Sequence, residues 1–376
     1  MKNYPMKTKI ISFIILGLIV QICTSQISKV SKSNVVGFSS RIALDKSRPS
    51  TTDGDFGRII QINTWYPAEF EQNSIKMVFF DYLRVKNNEM GVGETYQNYE
   101  KTVEDYFEWP ISQGAKKSLI DSIIAARLPM TAIKNIAFKS GKHPVILLMH
   151  GSAVDFAFLG ESLAEQGYIV INVPIKGYRQ KEFDVNGIGM ETEIRDYETA
   201  LSVLSNNKSL DLSDVVALGF SFGGQSALGL ACRNPNIKTV ISYDGGIGDR
   251  FGARLINESS FCSTENVSAS ILHIYDASYT RKYLDKIRSF IYAERTLIGL
   301  NRIAHWHFTS FGYLTLKIPS LFGGNEFARN GYETIMEITE GYLRSKSKNP
   351  NMPYDVPKDE YNLVDVFEQF EPIKNK

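Results

Sequence analysis

The sequence predicts an α/β fold with a mostly parallel central sheet and helices on both faces. Three observations carry that expectation. Continuous apolar runs alternate with helix-like amphipathic runs from about residue 144 onward, the pattern of a sheet covered on both sides. Gly219-Phe220-Ser221-Phe222-Gly223-Gly224 lies between one such strand and one such helix, where a sharp turn crowds the backbone and calls for small residues. The stretch before the strands, about 79–130, has helical rather than alternating periodicity.

Taken in order, residues 26–58 are polar and turn-rich, and 57–67 alternate as an early antiparallel strand would, stopping at Pro67. In the helical insertion, Leu119, Ile120, Ile123, Ile124 and Leu128 share one face, and Pro129 ends the run. The insertion reads as a cap on the core or, equally, as ordinary surface helices. Strands are expected at 144–149, 168–173, 215–220, 239–243 and 271–275. Helices are expected at 156–166, 192–204 and 225–232, with a closing helix at about 331–343. The α/β domain thus spans 26–344. Residues 345–376 contain Pro350, Pro353, Pro357 and Pro372 and are expected to form an irregular polar tail.

Residues 1–25 have the organisation of an export signal. Lys2, Lys7 and Lys9 precede a nearly all-apolar stretch at 10–22, and Cys23-Thr24-Ser25 offers small residues for cleavage before Gln26. The apolar stretch is short of the roughly 20 residues a spanning helix needs, so an uncleaved anchor is the lesser reading. The mature chain is expected to be secreted or periplasmic, with no membrane span. Cleavage takes three of the 42 basic residues and none of the 41 acidic ones, moving the formal charge from +1 to −2. That balance lacks the basic footprint of a nucleic-acid-binding protein. Cys232 and Cys262 remain, enough for one disulfide in an oxidising compartment but in no zinc-site spacing. No cofactor or metal is expected, and nothing in the sequence specifies an oligomeric state.

A serine at the tip of a strand–helix turn is held clear of the backbone at a helix N-terminus, where developing negative charge is favoured. Ser221 is therefore the candidate nucleophile, and it needs a base. Among five histidines, His143 precedes a strand, His273 lies inside one, and His150 comes before the serine in the chain. That leaves His305 and His307 in the loop after the last expected strands, with His305 favoured by position. Two strand-end aspartates could orient the base. Asp244 precedes two glycines that suit a tight turn, and Asp276 ends the next strand. Asp244 is favoured and Asp276 is the alternative. For the oxyanion, donors are expected from the Phe222 N–H and from the His150-Gly151-Ser152 loop. Trp306, Phe222 and Tyr178 are candidate pocket walls.

The Ser221 hexapeptide, His150-Gly151-Ser152, Asp244 and His305 followed by Phe308 together resemble plasma-type platelet-activating-factor acetylhydrolases, within the wider dienelactone-hydrolase-like α/β-hydrolases. The similarity extends from about Ser47-Arg48-Pro49 and Trp65-Tyr66-Pro67 to about Leu343, and the insertion matches least. The resemblance implies an α/β-hydrolase fold, Asp244 as the acid, His305 as the base and the Ser152 N–H as the second oxyanion donor. It also implies calcium-independent hydrolysis of short or oxidised acyl chains from phospholipids, so the substrate would be a small-molecule or lipid ester. An acyltransferase or peptidase would leave the same triad, and a non-catalytic binding protein could occupy the same scaffold.

Overall fold

A run such as Val145-Ile146-Leu147-Leu148-Met149 offers no face to solvent, so it must pair inside a sheet that is covered above and below. The computed structural model describes residues 34–48, 57–90, 99–178, 182–279, 282–323, 326–348, 354–356 and 359–373, without the side chains of 87–90 and 348. The expected export signal at 1–25 and Pro49 of the similarity region lie outside the described residues.

Strands β1 (Val35–Asp45), β2 (Arg58–Ala68) and β3 (Lys76–Val78) come first. Helices α1 (Phe79–Met90), α2 (Tyr99–Ser112) and α3 (Lys117–Ala125) follow, and then β4 (Pro129–Lys134). The alternating part runs β5 (His143–Met149), α4 (Ala157–Glu165), β6 (Ile169–Asn172), α5 (Gly187–Leu204), β7 (Leu210–Phe220), α6 (Gly223–Arg233) and β8 (Ile237–Tyr243). It continues through α7 (Arg250–Glu258), β9 (Ser270–Asp276), α8 (Asp285–Arg288) and β10 (Arg295–Leu300). Helices α9 (Ser310–Lys317) and α10 (Gly331–Lys348) precede a last strand, β11 (Val364–Phe370). Among the described residues, eleven strands join one sheet in the order β11-β10-β9-β8-β7-β5-β6-β2-β1-β4-β3. From β6 to β10 neighbours run parallel, while β2 pairs antiparallel with both β6 and β1.

Each central strand divides its side chains between two cores. Ile146 and Leu148 of β5 point to one face with Val216 and Leu218 of β7, packed under α4, α10 and the insertion helices. Val145, Leu147 and Met149 point to the other with Val215 and Ala217, under α5, α6 and α7. The insertion is anchored by a buried polar chain. Trp65 Nε1 donates to Tyr82 Oη at 2.8 Å, and Tyr82 donates to Glu161 Oε1 of α4 at 2.8 Å. The other Glu161 oxygen accepts from the N–H and hydroxyl of Thr131. On the opposite face Arg58 makes a bidentate pair with Asp196 of α5, both bonds 2.7 Å.

Two expectations are corrected. Residues 26–58 are not uniformly turn-like, since Val35–Asp45 pairs along the whole length of β2. The 345–376 segment is not an irregular tail, because α10 reaches Lys348 and 364–370 add an antiparallel strand to β10. That strand has only half-buried and exposed residues, as a sheet edge allows, and so has no apolar run to announce it. Strand β10 is concealed differently. Arg295 interrupts its apolar pattern but buries its guanidinium on the Phe290 and Arg288 carbonyls. Among the described residues no helix is long and apolar enough to cross a membrane.

Candidate active site

The carboxyl ends of β5, β7, β8 and β9 deliver the expected residues to one place. Ser221 follows β7 with φ +52°, a left-handed conformation that costs an L-residue about 1–2 kcal/mol. The turn tolerates it because its neighbours are glycine. A Cβ on Gly219 would lie 2.0 Å from the Gly223 carbonyl oxygen, and one on Gly223 would lie 2.5 Å from that of Met149. The Ser221 backbone is fixed at both ends. Its N–H donates to the Tyr243 carbonyl at 3.0 Å, and its carbonyl accepts from Gly224 and Gly246 at 3.1 and 2.9 Å. The Phe222 N–H, at the start of α6, has no acceptor among the described residues.

Asp244 ends β8 in a second left-handed turn, φ +44°, with its N–H on the Ile274 carbonyl of β9 at 2.7 Å. His305 opens a short 3₁₀ turn after β10. Its Nδ1 donates to Asp244 Oδ2 at 2.6 Å, the length of a charge-assisted bond. With the proton on Nδ1, the neutral ring keeps its lone pair on Nε2. The carboxylate is 16% exposed and the imidazole 40%, so the pair is anchored on one side and accessible on the other. The ring lies against Phe220 at 4.5 Å. Ser221, Asp244 and His305 line one cavity of about 430 Å³. Ser221 Oγ has no hydrogen-bond partner among the described residues, and such bonds often tighten only with substrate bound.

The alternatives separate cleanly. Asp276 turns its carboxylate to the N–H and hydroxyl of Ser278 at 2.8 and 2.7 Å, while its own N–H donates to Asp244 Oδ1 at 3.2 Å. It therefore supports Asp244 and does not meet His305. His307 is fully buried, accepting the Ala304 N–H on Nδ1 at 2.9 Å and donating from Nε2 to the Ala328 carbonyl at 3.1 Å. Burial pushes its pKa down to about 4, and both nitrogens are occupied, so it braces the turn that presents His305. His273 is likewise pushed down to about 4 by burial and bonds Ser242 Oγ at 3.0 Å. His143 bonds the Gly167 carbonyl.

The Ser152 N–H is not available as an oxyanion donor, which corrects the sequence expectation. It donates to Asp155 Oδ2 at 2.7 Å, in the capping box of the next 3₁₀ turn. Gly151, at φ +105°, keeps an N–H with no acceptor among the described residues. A second cavity, of about 350 Å³, joins this loop to His305. It is walled by Tyr106 and Trp109 of α2, Lys86 of α1 and Phe311. Lys86 Nζ donates to Ser152 Oγ at 2.8 Å, tying the insertion to the loop. Lys86, Tyr106 and Trp109 were missed from the sequence because nothing in a helical stripe says which strand end it will cover. Trp306 is not a pocket wall, because it is buried in the core and stacked on Phe322 at 4.2 Å. Tyr178 lines a separate cavity with Arg48 and Glu191. No group of three His, Cys, Asp or Glu side chains among the described residues is arranged to hold a metal.

Residues 133–291 match the dienelactone hydrolase family. No curated protein matches the chain by sequence. Among solved structures, the ferulic acid esterase from Streptomyces cinnamoneus is similar over 91% of this chain and 98% of its own, at 15% identity and a TM-score of 0.61. The acylaminoacyl peptidase of Pyrococcus horikoshii, in its orthorhombic crystal form, overlaps 58% of this chain and 40% of its own, at 15% identity and a TM-score of 0.42. The chain thus has the α/β-hydrolase fold, and its segment 133–291 is similar to the dienelactone hydrolase family.

Proposed function

We propose that the protein is a serine esterase in which Ser221 is the nucleophile, His305 the base and Asp244 the acid that orients it. The observation that carries this reading is the 2.6 Å His305–Asp244 bond in the cavity lined by Ser221 on its strained turn. His305 Nε2 takes the proton of Ser221 Oγ as that oxygen attacks the ester carbonyl. The Phe222 and Gly151 N–H groups hold the oxyanion, and Asp244 stabilises the imidazolium. His305 then gives its proton to the leaving alcohol. Water attacks the acyl-enzyme with His305 again as base, releasing the acid and restoring Ser221.

The acyl or alcohol portion is compact, since the cavity beside His305 holds about 350 Å³. Two ester classes suit it: short-chain phospholipid esters, which the family resemblance implies, and ferulate-type esters, after which the structurally similar Streptomyces enzyme is named. The Tyr106, Trp109 and Phe311 walls favour a planar aromatic group. We further propose that the protein is exported. The Cys232–Cys262 disulfide suits an oxidising compartment, and the basic-then-apolar 1–25 segment suits a cleaved signal.

Intact-mass spectrometry of protein recovered from the producing cells, before and after a fluorophosphonate, tests both. The expected result is a chain beginning at Gln26 that gains one adduct on Ser221 and loses this reactivity in Ser221→Ala. Folded protein without an adduct would refute the esterase reading, and a retained N-terminus would refute export. Rates on p-nitrophenyl esters of graded acyl length, beside a short-chain phospholipid and methyl ferulate, then separate the ester classes.

A further inference from the structure

Away from the two cavities beside Ser221, a third of about 430 Å³ opens between α4 and α10 and shares no lining residue with either. Glu333, Glu337 and Glu340 recur along α10 at helical spacing and so share one face, as Glu161 and Glu165 do on α4. Carboxylates three or four residues apart on a helix repel one another. Ser162 Oγ of α4 donates to Glu340 Oε1 at 3.2 Å, which brings the two acidic faces together. Lys317 is the one basic residue among the described lining residues, and Arg344 meets Glu340 at 3.5 Å from the next turn of α10.

The walls between these carboxylates are aromatic. Phe158 stacks on Tyr313 at 3.9 Å, and Tyr313 meets Tyr332 edge-on at 5.7 Å. Lys317 Nζ stands 5.2 Å over the Tyr313 ring, so one ammonium of the chain itself already rests on this wall. Tyr332 is only 7% exposed, and its hydroxyl has no hydrogen-bond partner among the described residues. Burial first, and then Tyr243, Tyr313, Glu340 and Glu161, push that hydroxyl's pKa well up, which sets it among the carboxylates of the cavity. A buried hydroxyl without a partner is costly, and a ligand N–H would satisfy it.

We propose that this cavity binds a linear organic polyamine. Its ammonium groups meet Glu333, Glu337 and Glu340, its methylenes lie along Tyr313, and one N–H reaches Tyr332 Oη. The carboxylates are strung along two helices, and no three among the described residues converge as metal ligands. A divalent ion needs oxygens converging at about 2.0–2.6 Å, whereas charges separated by methylenes match a row. Burial, and then Glu360, Glu333 and Glu340, push the Glu337 carboxyl above its ordinary value, a cost that a bound cation offsets. The inference is independent of the esterase reading.

Calorimetric titration of the folded protein with spermidine, at near-physiological ionic strength, tests it. The expected result is saturable binding of one spermidine per chain. Glu337→Gln/Glu340→Gln should weaken it about tenfold, and Tyr332→Phe about fivefold. Glu258→Gln/Glu265→Gln, which removes two exposed carboxylates elsewhere, should leave the affinity unchanged. Absence of saturable binding overturns the proposal, and so does an equal loss in the two double variants, which would reduce it to net charge. Magnesium chloride displacing spermidine at equal concentration overturns the organic class of the ligand. Should Tyr332→Phe fail to fold, the two double variants decide the matter. The heat of binding does not depend on Ser221, so a failure here leaves the esterase reading untouched, and the reverse holds too.

Discussion

Asp244 and Asp276 end neighbouring parallel strands one register apart, and either carboxylate could have reached an imidazole from that edge. What separates them is the backbone after each. Asp244 takes a left-handed turn that throws its carboxylate toward His305, whereas Asp276 folds back on Ser278 and spends its N–H on Asp244. Asp244→Asn is therefore expected to lower kcat by about 10⁴-fold, because the amide leaves His305 in the wrong tautomer. Asp276→Asn keeps the supporting N–H, and its loss should stay within about tenfold in kcat, since it acts on the base only through Asp244. Steady-state rates on one p-nitrophenyl ester decide this, and comparable losses in both variants would reassign the acid. The five histidines sort by the same local logic. His307 has both ring nitrogens satisfied by backbone groups, while His305 keeps one for the cavity. From sequence the pair could be ordered only by position.

At the scale of elements, the β7–α6 turn is where sequence and geometry are bound most tightly. Gly219 and Gly223 are required by contact, not merely permitted, because a methyl group on either would enter a backbone carbonyl. Gly219→Ala should consequently cost about 3 kcal/mol or more, as overpacking against rigid backbone does, and should displace Ser221. Urea unfolding with fluorophosphonate labelling on the same samples reads both effects, and a variant of wild-type midpoint and reactivity would contradict the account. The Ser152 turn shows the opposite case. His150-Gly151-Ser152 looks like an oxyanion loop in one dimension, yet a capping box three residues on claims the Ser152 N–H. The sequence does contain that signal, since Ser152-x-x-Asp155 has the spacing of a cap. The insertion helices gain their meaning by docking. Tyr82 on Glu161 and Lys86 on Ser152 bring α1 against the core and make its neighbour α2 a cavity wall.

For the whole molecule, burial of neutral histidines ties stability to pH. His273 under the sheet end and His307 behind the active-site turn both have pKa values pushed down to about 4 by desolvation, against about 6.5 in the unfolded chain. Between those values the unfolded chain binds the protons and the folded chain does not. Acidification through that window should then remove about 1.4 kcal/mol per pH unit for each residue. Urea midpoints measured between pH 7 and 4.5 should fall accordingly, and His307→Phe should flatten the slope by about half; an equal slope would show that other groups govern it. The alternation of apolar strands with helices determined the parallel sheet, and the glycine-framed hexapeptide determined where its serine would stand. Both are dictated by residues adjacent in the chain, through period, sterics and the absence of a solvent face. The tertiary structure alone decided that Asp244 and not Asp276 meets His305, that the Ser152 N–H is spent, that Trp306 is core, and that α2 walls the cavity. Those outcomes depend on which groups from distant segments arrive within hydrogen-bonding distance, and local sequence carries no measure of that distance.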